Sequence, residues 1–237
     1  MTHLQDELNR LRDSLNDMSY QVMNQLSKSV ESLTKFDKDM AREVIRNEKR
    51  INALEIQIDK ECETIFTLMT PVAKDMRFVF STLKINTDLE RIADYAENIS
   101  LMVVELEKPF DKALLDELRI EEMSKTALSM LTDAIAGYSS ENADMARGVF
   151  GDDAIINEIH RKAKPIIANQ CRNDPDNILS YMDLWSVMRR IERVGDHITN
   201  VAEEIIFHLE ATVIKHSGKQ SLKRGNGRNK KNNENNK

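Results

Sequence analysis

The sequence predicts an all-α protein of two three-helix units in tandem, packed up-down-up with short loops and followed by a disordered tail. Three observations carry this. Only seven Gly and four Pro occur in 237 residues, and three of the Gly (Gly218, Gly225, Gly227) fall in the last twenty. A many-stranded β fold needs a turn signal every ~8–12 residues, which so few turn-formers cannot supply. Low aromatic content (5%) and twelve Met suit long helices with adaptable packing. Finally, Glu90-Arg91-Ile92-Ala93-Asp94-Tyr95-Ala96-Glu97-Asn98-Ile99 returns about one hundred residues later as Glu192-Arg193-Val194-Gly195-Asp196-His197-Ile198-Thr199-Asn200-Val201, as a duplicated unit would give.

In the first helix Leu4, Leu8, Leu11, Leu15, Met18, Val22, Leu26 and Val30 recur three or four residues apart, one continuous helical stripe up to about Thr34. Asp37 offers an N-cap for a second helix to about Met69, with Met40, Val44, Ile51, Leu54, Ile58, Ile65 and Leu68 inward. Thr70-Pro71 reads as an N-cap with Pro at the first helical position. The third helix runs from there to about Glu107, stopped by Lys108-Pro109, and carries the first motif copy.

The second half repeats the plan. Leu114, Leu118, Met123, Ala127, Met130 and Leu131 mark a fourth helix ending near Gly137-Tyr138-Ser139-Ser140. A fifth starts around Asn142 and passes Asp144-Met145-Ala146-Arg147, the counterpart of Asp39-Met40-Ala41-Arg42. Gly148, Gly151 and Pro165 are expected to loosen or bend it. Asp174-Pro175 opens a sixth helix, which carries the second motif copy to about His216. The offset between copies is 105 residues at Asp-Met-Ala-Arg and 102 at Glu-Arg, so the second copy is three residues shorter between them. The units are placed at residues 1–110 and 111–216, with a disordered Asn/Lys-rich tail at 217–237.

The formal charge of −6 is unevenly spread: eight Lys or Arg against one Glu from Lys215 onward give +7, leaving −13 on the rest. So acidic a body disfavours nucleic acid and favours cations or a basic partner, and any nucleic-acid contact falls to the tail. The tail reads first as a solubility segment and second as a contact for an anionic surface. Cys62 and Cys171 have no ligand spacing and read as free thiols in a reducing compartment. No signal-like N-terminus and no apolar run of ~18–20 residues is present, so the expectation is a soluble cytoplasmic protein.

Positions i, i+4 and i+8 share a helix face. Glu90, Asp94 and Asn98 therefore form one polar stripe, and Glu192, Asp196 and Asn200 another. Carboxylates one turn apart have Cβ atoms about 5–6 Å apart, and two of them can share a hard cation or bridge two, with Fe, Mn, Mg or Zn as candidates by ligand type. On the neighbouring helix of each unit Glu48 and Asp153 are equivalent and can complete the site. The competing reading is a solvated face: Arg91 and Arg193 stand three residues before Asp94 and Asp196, the spacing of ordinary ion pairs worth about 0–1 kcal/mol. Persistence of the Glu, Arg, Asp and Asn in both copies favours a functional stripe. There is no Glu-x-x-His for a ferritin-like di-iron site, no Gly-rich phosphate loop, and no nucleophile paired with a base. His160 and His208 read as surface or core-edge residues. Gly195, matched by Ala93, demands a small side chain, for close helix approach or for room for a ligand or ion beside Asp196.

The duplicated Glu-Arg-x-x-Asp-x-x-x-Asn, with Asp75-Met76-Arg77-Phe78 shortly after Pro71, resembles the PhoU family of bacterial phosphate-uptake regulators over about residues 1–216. The resemblance implies two three-helix bundles related by a pseudo-twofold. It implies a non-enzymatic negative regulator of phosphate import and of the phosphate-starvation response. The implied partners are the ATPase subunit of a phosphate ABC importer and a membrane sensor histidine kinase, with membrane association only through them. Multinuclear Fe or Zn at the Glu/Asp-x-x-x-Asp motifs (here Glu90 and Asp94, Glu192 and Asp196) is implied as well. Long Met-rich helices add the expectation of a homodimer. The second unit lacks the Asp-Met-Arg opening, having Asn173-Asp174-Pro175-Asp176-Asn177 there, so asymmetry between the sites is expected. The competing functions are a metal-dependent enzyme or metal store using the same carboxylates, and a helical scaffold acting through its tail.

Overall fold

The computed structural model describes residues 3–214, and the expected disordered tail lies outside them. Seven helices and no strand occur among the described residues. Helix α1 (His3–Lys35) buries Leu8, Leu11, Leu15, Met18, Val22, Leu26, Val30 and Leu33 along one face. Helix α2 (Lys38–Leu68) starts at Asp37, whose carboxylate accepts the N–H groups of Asp39 and Met40 at 3.0 and 2.9 Å, the ordinary N-cap arrangement. Its inward face is Ala41, Val44, Glu48, Ile51, Ile58, Cys62 and Ile65. Leu68, expected inward, is 78% exposed, because α2 ends there and the chain turns away from the core.

Helix α3 (Ala73–Glu105) begins two residues later than Thr70-Pro71 suggested. Its N-cap is Val72, whose N–H is taken by the Asp75 carboxylate at 3.2 Å, so the acid of the Asp-Met-Arg opening closes the helix start from within. The expected fourth helix is two: α4 (Lys112–Glu117) and α5 (Ile120–Ser139). The break is at Arg119, in the left-handed region at φ 55°. It still lets Leu114, Leu118, Ile120 and Met123 all reach the core. Helix α6 (Ala143–Asn173) is capped by Asn142, whose side chain accepts the Asp144 N–H at 3.0 Å, and it runs on through Pro165. A 3-10 turn at Pro175–Asn177 precedes α7 (Ile178–Glu210), which ends at left-handed Ala211, short of the expected His216.

The repeated Asp-Met-Ala-Arg has a local cause. Arg42 pairs with Asp39 at 2.8 Å and Arg147 with Asp144 at 2.9 Å, while Ala41 and Ala146 are fully buried. Each copy thus places an acid at a helix N-terminus, where the dipole favours it, and a small residue against its neighbour.

Helices α1, α2 and α3 pack on one another, as do α5, α6 and α7, and the two bundles join chiefly along α3 and α7. These two run antiparallel, since Phe78 faces His208, Lys84 reaches Glu204 and Asp88 reaches His197. One continuous apolar core extends through both bundles and across that seam. Tyr95 and His197, equivalent in the repeat, face each other with ring centroids 5.8 Å apart. The polar contacts of the seam are one-sided. Asp88 Oδ1 lies 2.8 Å from His197 Nδ1 and accepts from Asn200 at 3.1 Å, and Lys84 donates to both oxygens of Glu204 at 3.1 Å. The counterpart of Asp88 is Arg190, which turns instead to Ser186 on its own helix.

Candidate functional site

In the first bundle, α3 presents Glu90 and Asp94 one turn apart, and α2 brings Glu48 against them. Glu48 is only 4% exposed. Gln25 of α1 donates to its Oε2 at 2.9 Å, while Oε1 is buried without a partner. Burial pushes its carboxyl up to about 7, and Glu97, Asp94 and Glu90 add repulsion. Glu90 is raised by burial and then by Asp94, Glu97 by burial and then by Asp94, and Glu55 by burial and then by Asp59. The first site is therefore more acidic than the motif indicates: Glu97 and Glu55 belong to the same field. The spacing signal existed, since Glu55 follows Glu48 by seven residues and Glu97 follows Glu90 by seven, two turns along one face.

Arg91 binds both motif acids, Asp94 at 3.2 Å and Glu90 at 3.5 Å. Asn98 turns back on its own helix and donates to the Asp94 carbonyl at 2.7 Å. Arg91 and Asn98 thus act as donors along the stripe, and the Asn98 amide nitrogen is engaged by its own helix.

The second bundle sets Glu192 and Asp196 on α7 with Arg193 at 3.8 and 3.6 Å, the same pairing at longer range. Asp153 of α6 accepts from Asn157 at 2.7 Å. A Cβ on Gly195 would stand 3.2 Å from Asp153 Oδ1 and 3.3 Å from Ile156 Cδ1. The small residue therefore serves the close approach of α6, whose Asp153 carboxylate and Ile156 side chain fill the space beside it. Asn200 departs from its counterpart by reaching across the seam to Asp88. His160 stacks on Trp185 with centroids 4.6 Å apart; burial lowers its pKa, and Glu192 opposes that. His208 is a core residue, 5% exposed, its pKa lowered by burial to about 4.

Among the described residues no three carboxylate, imidazole or thiol groups stand close enough to form a ready-made metal cage. The donor chemistry nonetheless fits a cation. An unpartnered, buried Glu48 oxygen among like charges is the group that a hard cation relieves, and ligation requires the carboxylates to turn inward from Arg91. No described helix is long and apolar enough to cross a membrane, and Cys62 and Cys171 are free thiols.

With this geometry in view, the comparisons with known proteins are specific. The PhoU domain matches residues 15–103 and 120–205, one segment in each bundle. A phosphate-specific transport system accessory protein PhoU homolog from a Burkholderia species is 32% identical over 207 residues, covering 87% of this chain and 88% of its own. The crystal structure of PhoU from Pseudomonas aeruginosa superposes with a TM-score of 0.81 at 26% identity, covering 89% of this chain and all of that one. That of the phosphate transport system regulatory protein PhoU from Streptococcus pneumoniae gives 0.80 at 25% identity, covering 89% and 99%. Two tandem helical bundles, each carrying one copy of the carboxylate motif and each matched by the same domain, place the chain in the PhoU family.

Proposed function

We propose that the protein is an accessory regulator of phosphate transport that acts by contact with partner proteins and not by turnover. The observation that carries this is the PhoU domain match to both bundles, among relatives named as accessory or regulatory proteins of phosphate transport. In this reading it restrains high-affinity phosphate import when phosphate is plentiful and helps silence the starvation response. It does so from the cytoplasmic side, docking on the ATPase subunit of the importer and on a sensor histidine kinase. Phe80 and Met182, repeat-equivalent and 47% and 52% exposed, support contact with partners, since exposed apolar anchors are what such docking uses. The sequence offers no nucleophile paired with a base.

The repeated carboxylates are, in the same reading, cation ligands: Glu48, Glu90 and Asp94 in the first bundle, Asp153, Glu192 and Asp196 in the second. Iron or zinc is the leading choice, and Mn or Mg also suits oxygen ligands. A bound cation offsets the mutual repulsion of these acids and ties α2 to α3 and α6 to α7.

The test is phosphate uptake in phosphate-rich medium by a strain lacking the gene. Uncontrolled uptake with starvation genes left on is the expected result. Normal uptake with a normal gene response overturns the proposal and brings forward the metalloenzyme reading.

A further inference from the structure

The two ends of the molecule differ in what stands beside their exposed apolar side chains. At one end gather the start of α1, the α2–α3 connection, the α5–α6 turn and the last turn of α7. Arg12 lies over the Phe78 ring at 5.3 Å, and the His208 ring centroid stands 5.3 Å from that of Phe78 and 6.5 Å from that of Tyr138. The α2–α3 connection turns Leu68 and Val72 outward there, 78% and 66% exposed, and Val213, just past α7, is 67% exposed. Val72 holds the N-cap of α3 without a side-chain bond, at a position where Ser, Thr, Asp or Asn caps best. Neither capping nor the core therefore accounts for Leu68 or Val72.

Part of the acid at this end is already neutralised. Asp75 closes the start of α3, Arg147 holds Asp144 and Glu210, and Arg12 holds Glu141. Lys74 and Arg77, within electrostatic reach of His208, make no ion pair among the described residues. The chain leaves α7 at this same end, and from Lys215 onward it carries eight Lys or Arg against one Glu. At the opposite end Leu179 is 79% exposed, but Asp174, Asp176 and Asp183 flank it. Apolar anchors beside a polybasic segment are what holds a protein on an anionic bilayer. Nucleic acid would use the charge alone: residues 215–237 contain no aromatic side chain to stack on a base, and Leu68 and Val72 would stay idle.

We propose that this end of the molecule docks directly on an anionic lipid surface. Leu68 and Val72 enter the headgroup layer, Lys74 and Arg77 meet the lipid phosphates, and residues 215–237 supply the long-range attraction. The contact goes beyond the regulator reading above, in which the membrane is reached through partner proteins, and does not depend on it. Because helix ends face the bilayer, α3 and α7 stand off it and both carboxylate stripes stay open at the side.

The experiment measures partition of the full-length protein by co-sedimentation with vesicles of phosphatidylglycerol and phosphatidylethanolamine, and with vesicles of phosphatidylcholine alone. The expected result is binding to the anionic vesicles only, falling steeply as salt rises. A variant carrying Lys223→Gln, Arg224→Gln, Lys230→Gln and Lys231→Gln, all outside the described residues, loses about tenfold or more in partition. Leu68→Ser with Val72→Ser, at exposed positions and checked for native helicity and Tm, loses about tenfold while keeping the salt dependence. Leu179→Ser leaves partition unchanged. No binding to anionic vesicles, equal binding to both vesicle types, wild-type binding by either of the first two variants, or an equal loss with Leu179→Ser overturns the proposal. Displacement from the vesicles by single-stranded RNA at equal phosphate concentration assigns the basic segment to nucleic acid and overturns it as well. None of these outcomes touches the regulator reading, which the phosphate-uptake test decides separately.

Discussion

Glu48 is the residue at which electrostatics and stability meet. An acid whose folded pKa lies above its unfolded value of about 4.5 favours the folded state least where it must ionise. Below about pH 4.5 Glu48 is protonated in both states and costs nothing. Between 4.5 and its folded value of about 7 the cost grows, and above 7 it is fully present. Glu48→Gln keeps the Gln25 contact and removes the charge. Metal-free Glu48→Gln is therefore expected to be more stable than wild type by on the order of 2–3 kcal/mol at pH 8, with the gain vanishing toward pH 4.5. Denaturant unfolding at the two pH values measures it, and a gain independent of pH contradicts the account. Saturating cation should abolish or reverse the gain, because the ion favours the ionised form that Gln cannot supply.

At the scale of elements, apolar periodicity and capping chemistry made most helices legible. The α1 stripe, the Asp37 cap, the Asn142 start of α6 and the buried Met123, Ala127, Met130 and Leu131 follow from local spacing alone. The break at Arg119 did not, because a left-handed non-Gly residue carries no composition signal; packing of Leu118 and Ile120 decides it. Nor did the true start of α3, which Asp75 sets from inside the helix although Thr70-Pro71 has the better cap sequence. The motif acids were readable because they repeat. Glu55 and Glu97 were passed over because they do not repeat, and Asn200 points away from its counterpart's partner because the seam supplies Asp88. The α5–α6 turn yields a direct test of close approach. A Cβ at Gly137 would stand 2.9 Å from the Asn142 carbonyl oxygen and 3.2 Å from the Ala146 nitrogen. These are backbone atoms, which yield less readily than a side chain. Gly137→Ala is expected to destabilise by about 1–3 kcal/mol despite its better helix propensity, measured by thermal unfolding; an unchanged or raised Tm shows that the turn can yield.

At the scale of the whole molecule, the α3–α7 seam makes one body of two bundles. Asp88 is its polar hub, and removing it leaves His197 and Asn200 without their shared acceptor. Asp88→Ala is expected to lower stability by about 1–3 kcal/mol, and an unchanged Tm means that the seam rests on its apolar contacts alone. The one-sidedness of that seam has a consequence of its own. In a dimer of identical chains every substitution at the twofold appears on both sides at once, so an acid gained near the axis is gained twice. Here Asp88 and Arg190 hold corresponding places with opposite charge, and Lys84 corresponds to Ser186. Joining the two halves in one polypeptide let each side mutate independently, so a contact that helps on one side need not be tolerated on the other. Such a chain has left symmetry behind as a constraint while keeping it as a shape, and two copies split apart could no longer pair with themselves as they pair with each other.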